Sequence, residues 1–413
     1  MDWKMSIHYL GTTAGAVKFD LEDRPAPTEA DLTARAHAVA AIAAAHAVEV
    51  DEQGRFPHEA IAAAKAARLI GAMIPADLGG EGASVSQIAE VCYILAGACA
   101  STAMIYGMHQ IKVACVARHS ADSPWHREFL RRVTRDQLLL ASSTTEGQGG
   151  GDVRSSSAAV QRAGDRISLE RAATVMSYGE QADGIVTTAR RAPDAAASDQ
   201  VLIVFEKADY TLTRTLEWET LGMRGTRSAG FAMKAQGHEA QVLPTPYADI
   251  HAQTMTPTAH LLWSASWAGS AAAAVERARL FTRKAARGAE GQTPPGAAHF
   301  TKAAATLRQL RALVTLSLAR YEAIESDPAA LTAMDFQTAI TLLKVDASEL
   351  ALSTVMSAMR ACGLSGYRND GDFTLGRHLR DILSAPIMIN NDRILANVGA
   401  SALLTDTPRS LHD

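Results

Sequence analysis

With 413 residues, 47% of them hydrophobic and 20% charged, the chain has the apolar material for a large core and is not a disordered segment. A formal net charge of -4 gives no electrostatic reason to expect nucleic acid or an anionic membrane surface as partner. The four cysteines (Cys92, Cys99, Cys115 and Cys362) form no Cys-x-x-Cys pair, which argues for buried thiols and against a zinc site.

Residues 1–27 read as an N-terminal extension. They hold an early acid, Asp2, and no sustained apolar run, so no secretory signal is expected and a cytoplasmic enzyme is the default. Residues 28–139 are rich in Ala, Leu, Ile and Met at helical spacing. Pro57 suits the first position of a helix, Glu59 suits its positive end, and Gly71 is expected as a left-handed cap beyond it. The Pro and Gly residues of Met73–Gly82 forbid a continuing helix, so a loop is expected there.

The pattern changes at residue 140. Asp165–Glu170 alternates, and Ile185–Thr188, Val201–Phe205 and Tyr210–Thr215 are β-branched or aromatic runs between turn residues. Residues 140–250 therefore read as a small antiparallel β domain. Residues 251–413 return to helix. Leu261–Arg287, His299–Tyr321 and Met334–Cys362 are long segments with a break over Gly288–Pro295, and Ser384–Leu404 is expected to form the last helix, after a turn at Pro386. The predicted class is α+β: an N-terminal helical domain, a middle β domain and a C-terminal helical bundle.

Several segments carry chemistry. Thr144-Thr-Glu-Gly-Gln-Gly-Gly-Gly-Asp-Val153 could let backbone N–H groups approach a phosphate or a flat ring, or could be a flexible loop. Ala173-Thr-Val-Met-Ser-Tyr-Gly-Glu-Gln-Ala-Asp183 follows it, then Leu221-Gly-Met-Arg-Gly-Thr-Arg-Ser228. Arg283-Lys-Ala-Ala-Arg-Gly288 reads as a basic helix end. Near the C-terminus stand Gly363-Leu-Ser-Gly-Tyr367, Arg380-Asp381 and Ile387-Met-Ile-Asn-Asn-Asp-Arg-Ile394.

In order and spacing these segments resemble the acyl-CoA dehydrogenase family over residues 28–405. That resemblance implies FAD as cofactor. Thr145 matches the residue at the flavin pyrimidine edge, and Ser177 the hydroxyl at flavin N5. Gly151 stands in place of a pyrophosphate-binding Ser, and Val175 in place of a packing aromatic. Arg283, with Arg287 in reserve, matches an Arg that reaches the pyrophosphate in a neighbouring subunit. Arg360 falls at the adenine end, Gly363 keeps the first Gly of the family's turn, and Asn391 and Arg393 replace two further cofactor contacts. A site shared in this way implies a homo-oligomer, a dimer or a tetramer. Arg224 is expected to be structural.

The resemblance also exposes a loss. Counted from Arg380-Asp381, the family's catalytic Glu falls on Ile389, whose side chain cannot take a proton. Ile250–Val275 holds no Asp or Glu that could substitute. His260, Asp392 and His378 are the replacements weighed, each with a structural role as the alternative. Three readings follow, in order. The first is an FAD-dependent oxidoreductase on an acyl thioester (bound to CoA or to a carrier protein) with a non-standard base, passing electrons to an electron-transfer flavoprotein. The second is a flavin-dependent monooxygenase fed by a flavin reductase. The third is a flavin- or acyl-binding protein without catalysis.

Overall fold

The computed structural model describes residues 31–120, 123–146, 153–288 and 292–404. Its N-terminal region consists of α1 (Leu32–Gln53), α2 (His58–Ala66), α3 (Val85–Ala98), α4 (Ala100–His119) and α5 (Pro124–Asp136). Local chemistry sets the helix ends. The Asp31 carboxylate accepts the Ala34 N–H at the start of α1, and Gly54 ends it at φ 59°. Ser84 and Gln87 cap α3 reciprocally, each side chain accepting the other's backbone N–H. The helix α4 is buried on nearly every side, so it forms the centre of this region.

Two local expectations need correction. Pro57 precedes α2 and is not its first residue. The left-handed residue after α2 is Arg68, at φ 56°, and not Gly71. The Arg68 guanidinium donates to the Thr134 carbonyl, which holds that conformation. Gly71 serves a different need: a Cβ there would lie 2.7 Å from Cγ2 of Thr134, so it lets α5 approach.

The middle region has two sheets. β1 (Leu140–Ser143), β4 (Gly184–Arg190) and β5 (Gln200–Glu206) form one, in the order β1-β4-β5. β2 (Gln161–Ala163), β3 (Arg166–Ala173), β7 (Gly230–His238) and β6 (Tyr210–Leu216) form the other, in the order β2-β3-β7-β6. The second sheet is antiparallel as expected, but β1 pairs with β4 in parallel, Leu140 opposite Gly184. The chain crosses through β2 and β3 before returning as β4, so the two strands run the same way. Both faces of β4 and β5 are buried, which explains their continuous apolar runs.

The C-terminal region begins with α6 (Tyr247–Ile250) and a π-helical turn (His251–Met255). It continues with α7 (Thr256–Gly288), α8 (Ala297–Ile324), α9 (Pro328–Thr332), α10 (Met334–Cys362), α11 (Leu364–Tyr367) and α12 (Gly376–Ile382). It closes with α13 (Ser384–Ile387) and α14 (Asn391–Ala402). The long helix α7 packs against both α3 and α10 and joins the two helical regions. At that crossing a Cβ on Gly269 would lie 2.1 Å from the Tyr93 carbonyl oxygen. The turn expected at Pro386 falls later: Pro386 lies inside α13, and the chain breaks at Ile389–Asn390. Ile389 and Asn390 both have positive φ, at 49° and 56°. The Asn390 carboxamide oxygen accepts the N–H groups of Asp392 and Arg393 and starts α14 afresh.

All four cysteines are free and buried. Burial pushes the Cys92 thiol up to about 12 and the Cys115 thiol up to about 11, so neither is a ready nucleophile. Among the described residues, no helix is long and apolar enough to cross a membrane.

Lys112 lies on α4, 3% exposed, and among the described residues its hydrogen-bond acceptor is the Met255 sulfur at 3.5 Å. A thioether compensates an ammonium poorly, and burial pushes Lys112 from 10.5 down to about 8. The unfolded chain therefore binds the extra proton between about pH 8 and 10.5. The cost of burying the charge is fully present below pH 8 and disappears as pH rises past 10.5. Lys112→Met is accordingly expected to stabilise the protein by about 2–3 kcal/mol at pH 7 and by much less at pH 10. Urea unfolding at the two pH values measures this, and a variant less stable than wild type at pH 7 contradicts it.

Candidate flavin site

The Gly-rich segment leaves β1 through Thr144 and half-buried Thr145. Glu146 then anchors it. Its carboxylate accepts the Ser157 N–H at 2.6 Å, the Ser157 hydroxyl at 2.8 Å and the Ala158 N–H at 3.1 Å. Nη1 of Arg171 lies 3.2 Å away, with that side chain wholly buried. Burial pushes the Glu146 carboxyl up, but Arg171 and the Ser157 and Ala158 donors outweigh it and hold the carboxyl below its usual range. Glu146 is thus fixed against Ser157 and Ala158. Gly151 lies between Glu146 and Ser157 in the chain, outside the described residues.

Ser177 is held by backbone pairing on each side. The Met176 N–H donates to the Ala229 carbonyl and the Tyr178 N–H to the Thr226 carbonyl, each at 2.9 Å. The Tyr178 hydroxyl donates to the Leu140 carbonyl at 3.0 Å, which ties this segment to the strand that leads into Thr145. The Ser177 hydroxyl lies 2.8 Å from that of Ser228, and Ser228 lies 2.7 Å from that of Thr226. Thr226 in turn donates to the Met223 carbonyl at 2.8 Å. Met176 is buried between Val175, 43% exposed, and half-buried Ser177. An open apolar side chain two residues from a half-buried hydroxyl fits the face and edge of a flat heterocycle.

Met223 also walls a small cavity with Ala100 and Met104 of α4, Ser266, Trp267 and Ser270 of α7, and Asp381 and Ile382 of α12. Asp381 is 6% exposed, and its Oδ1 accepts the Met223 N–H at 2.7 Å. Beside this bond the backbones almost touch, since a Cβ on Gly222 would lie 2.1 Å from the Arg380 carbonyl oxygen. Burial raises the Asp381 carboxyl to about 6, against the pull of Arg377, the Met223 N–H and Arg380. A raised carboxyl favours folding fully below 3.8 and loses that contribution as pH climbs through 6. Asp381→Asn keeps an oxygen for the Met223 N–H. Its stability relative to wild type is expected to be higher at pH 7 than at pH 4 by about 2 kcal/mol. Equal differences at the two pH values, from thermal or urea unfolding, count against this.

The remaining expected site residues lie as follows. Ile389 is partly buried and packs with Leu342, Val345, Ile394 and Val398, and it does not line the cavity. Asp392 is exposed on the first turn of α14. His260 is 4% exposed, with Nδ1 2.8 Å from the Ile340 carbonyl, and burial pushes it down to about 4. His378 is buried beside Arg377 and Arg277, and burial first and these charges second hold it well below its ordinary range. The Asn391 amide is committed to Lys344 (2.6 Å), Ser348 (3.0 Å) and Glu349 (3.0 Å). Arg393 donates to the Ile389 carbonyl at 3.2 Å. Arg283, Arg287, Arg360 and Gly363 are exposed on the C-terminal bundle. Arg224 reaches the Glu52 carbonyl of α1, as a structural residue would.

Residues 28–137 match the acyl-CoA dehydrogenase N-terminal domain, and residues 252–404 match the acyl-CoA dehydrogenase C-terminal domain. The chain has the acyl-CoA dehydrogenase fold. A probable acyl-CoA dehydrogenase of Mycobacterium tuberculosis, FadE25, is 24% identical over 367 residues, covering 87% of this chain and 91% of the relative. Among solved structures with this fold, FMN-bound TdsC, a dibenzothiophene monooxygenase of Paenibacillus sp. A11-2, superposes with a TM-score of 0.80. It is 18% identical over 92% of this chain and 100% of the other. Methanesulfinate monooxygenase MsuC of Pseudomonas fluorescens has a TM-score of 0.78 and 21% identity over 92% and 98% of the two chains. The expectation of FAD is corrected at this point, because the similar TdsC structures hold FMN. FMN ends at one phosphate and needs no adenine end, the role for which Arg360 was singled out.

Sequence reasoning did not find Thr226, Ser228, the Glu146–Arg171 pair or the cavity role of Asp381. All but Arg171 lay inside quoted motifs. Only the fold brings Arg171, on β3, to Glu146, and Met223 to Asp381.

Proposed function

We propose that this chain is a flavin-dependent monooxygenase built on the acyl-CoA dehydrogenase fold, taking reduced FMN from a separate flavin reductase and acting on a small apolar substrate. The observation that carries this reading is Ile389. The position that the count from Arg380-Asp381 gives to the family base holds an aliphatic side chain, packed with Val345, Ile394 and Val398. Oxygen transfer needs no base at a substrate α-carbon, whereas thioester dehydrogenation does. Similarity of fold to the monooxygenases TdsC and MsuC supports the same choice. Reduced flavin supplies the two electrons that, with dioxygen, put one oxygen atom into substrate and release the other as water.

In this reading Thr145 and Ser177 hold the ring edge, and the Glu146–Arg171 pair fixes Glu146, the neighbour of Thr145. Met104 and Trp267 give the cavity an apolar wall that excludes water. Exposed Leu364, Tyr367 and Ile387, all at least 72% accessible, suit coverage by a further copy of the chain in a homo-oligomer.

The decisive experiment compares two half-reactions. Purified protein with FMN, mixed anaerobically with octanoyl-CoA, is expected to show no flavin bleaching. With a flavin reductase, NADH and air, it is expected to convert indole or dibenzothiophene, as probes, to oxygenated products seen by mass spectrometry. Rapid bleaching by octanoyl-CoA would restore the dehydrogenase reading.

A further inference from the structure

Three hydroxyls and one carbonyl form a chain in which the position of every proton is determined. The contacts are Ser177 to Ser228 at 2.8 Å, Ser228 to Thr226 at 2.7 Å, and Thr226 to the Met223 carbonyl at 2.8 Å. Each of these oxygen pairs is a favourable contact only with a proton between them. A carbonyl cannot donate, so the Thr226 proton must point at Met223. Thr226 then has only lone pairs left for Ser228, so Ser228 donates to Thr226. Ser228 in turn has only lone pairs left for Ser177, so Ser177 donates to Ser228. Three contacts take three protons, and one arrangement satisfies all of them.

The far end of the chain is firmly fixed. The Met223 carbonyl also accepts from the Trp218 indole N–H at 3.1 Å, and the Met223 N–H is held by Asp381 at 2.7 Å. Thr226 and Ser228 are 3% and 5% exposed, so water does not compete for them freely. Backbone pairing at Met176 and Tyr178 keeps Ser177 against Ser228.

We propose that Thr226 and Ser228 are positioning residues that turn the Ser177 hydroxyl into an obligate acceptor toward a bound flavin, so that the site favours the reduced ring. This rests on the flavin reading of Ser177 given above. Reduced flavin carries an N–H at N5, where oxidised flavin carries a bare acceptor nitrogen. A hydroxyl whose proton is already committed accepts from the first and meets the second with lone pair against lone pair. The site then selects the redox state that a separate reductase delivers, and it releases the oxidised ring after turnover.

The test measures FMN affinity in both redox states, anaerobically, by fluorescence titration and by the midpoint potential of the bound flavin. Wild type is expected to bind reduced FMN about tenfold more tightly than oxidised FMN. For a two-electron couple this is a shift of about 30 mV toward positive potential. Ser228→Ala and Thr226→Val each release the Ser177 proton to face the ring, and each is expected to cut the ratio about three- to tenfold. Thr226→Ser keeps the relay and is expected to keep the wild-type ratio. Equal losses in both redox states would show a merely structural role and overturn the proposal. An unchanged ratio in Ser228→Ala and Thr226→Val with FMN still bound would also overturn it. Failure of wild type to bind FMN in either state would overturn the flavin reading itself, and the proposal with it.

Discussion

Arg171→Met is expected to destabilise the protein by about 3–5 kcal/mol and to weaken FMN binding at least tenfold. The guanidinium is wholly buried beside a Glu146 side chain that is 9% exposed, and its other contacts are the Thr188 carbonyl and the Ser156 hydroxyl. Its removal leaves a carboxylate buried without its cation, which is the costly half of breaking such a pair. The loss falls on the described residues that Glu146 holds, Ser157 and Ala158. Acid should mimic the mutation. A depressed carboxyl contributes its stability above the unfolded value of 4.5 and loses it as pH falls below that. Urea unfolding and FMN titration at pH 7 and pH 4 provide the check. A variant within about 1 kcal/mol of wild type at pH 7 would show that the pair is dispensable. The double variant Arg171→Met with Glu146→Gln should recover part of the loss.

Gly269→Ala is expected to cost about 3 kcal/mol or more, or to prevent folding. The new Cβ would sit 2.1 Å from the Tyr93 carbonyl oxygen and 2.8 Å from its carbon. Those atoms belong to the backbone of α3, so no rotamer change relieves the clash and α7 must move off α3. Gly399→Ala is the matched control. It lies in α14 with nothing within 4 Å of its Cβ position, and the gain in helix propensity should stabilise by up to about 1 kcal/mol. Thermal melts of the two variants side by side measure the contrast. Similar small effects from both would mean that the α3–α7 crossing is looser than the distance implies.

The order of helices, sheets and helices was legible because it rests on local signals. Continuous apolar runs reported β4 and β5, and Pro and Gly reported the loop over Met73–Gly82. Parallel pairing of β1 with β4 was not legible, since neither strand encodes the direction of a partner more than forty residues away. The break between α13 and α14 was misplaced for a sharper reason. Ile389 is a β-branched residue at positive φ, the conformation its side chain least favours, so propensity argued for helix at that position. The site was legible in part. Ser177 was singled out by the family resemblance, but the hydroxyls of Thr226 and Ser228 come beside it only when the chain leading into β7 returns. Asp381 served to set a register, and its place in the cavity wall depends on the docking of α12 against the Gly222–Met223 turn.

That docking separates the cavity wall into two kinds of surface. Met223 and Asp381 belong to a seam where main chain meets main chain, and exchange there disturbs two regions of the protein at once. Met104 and Trp267 project from long helices whose backbones are set by other contacts. On the function proposed above, substrate range can therefore drift through the second pair while the first stays unchanged. A library aimed at new substrates should vary 104 and 267, and positions 222, 223 and 381 should be left as they are.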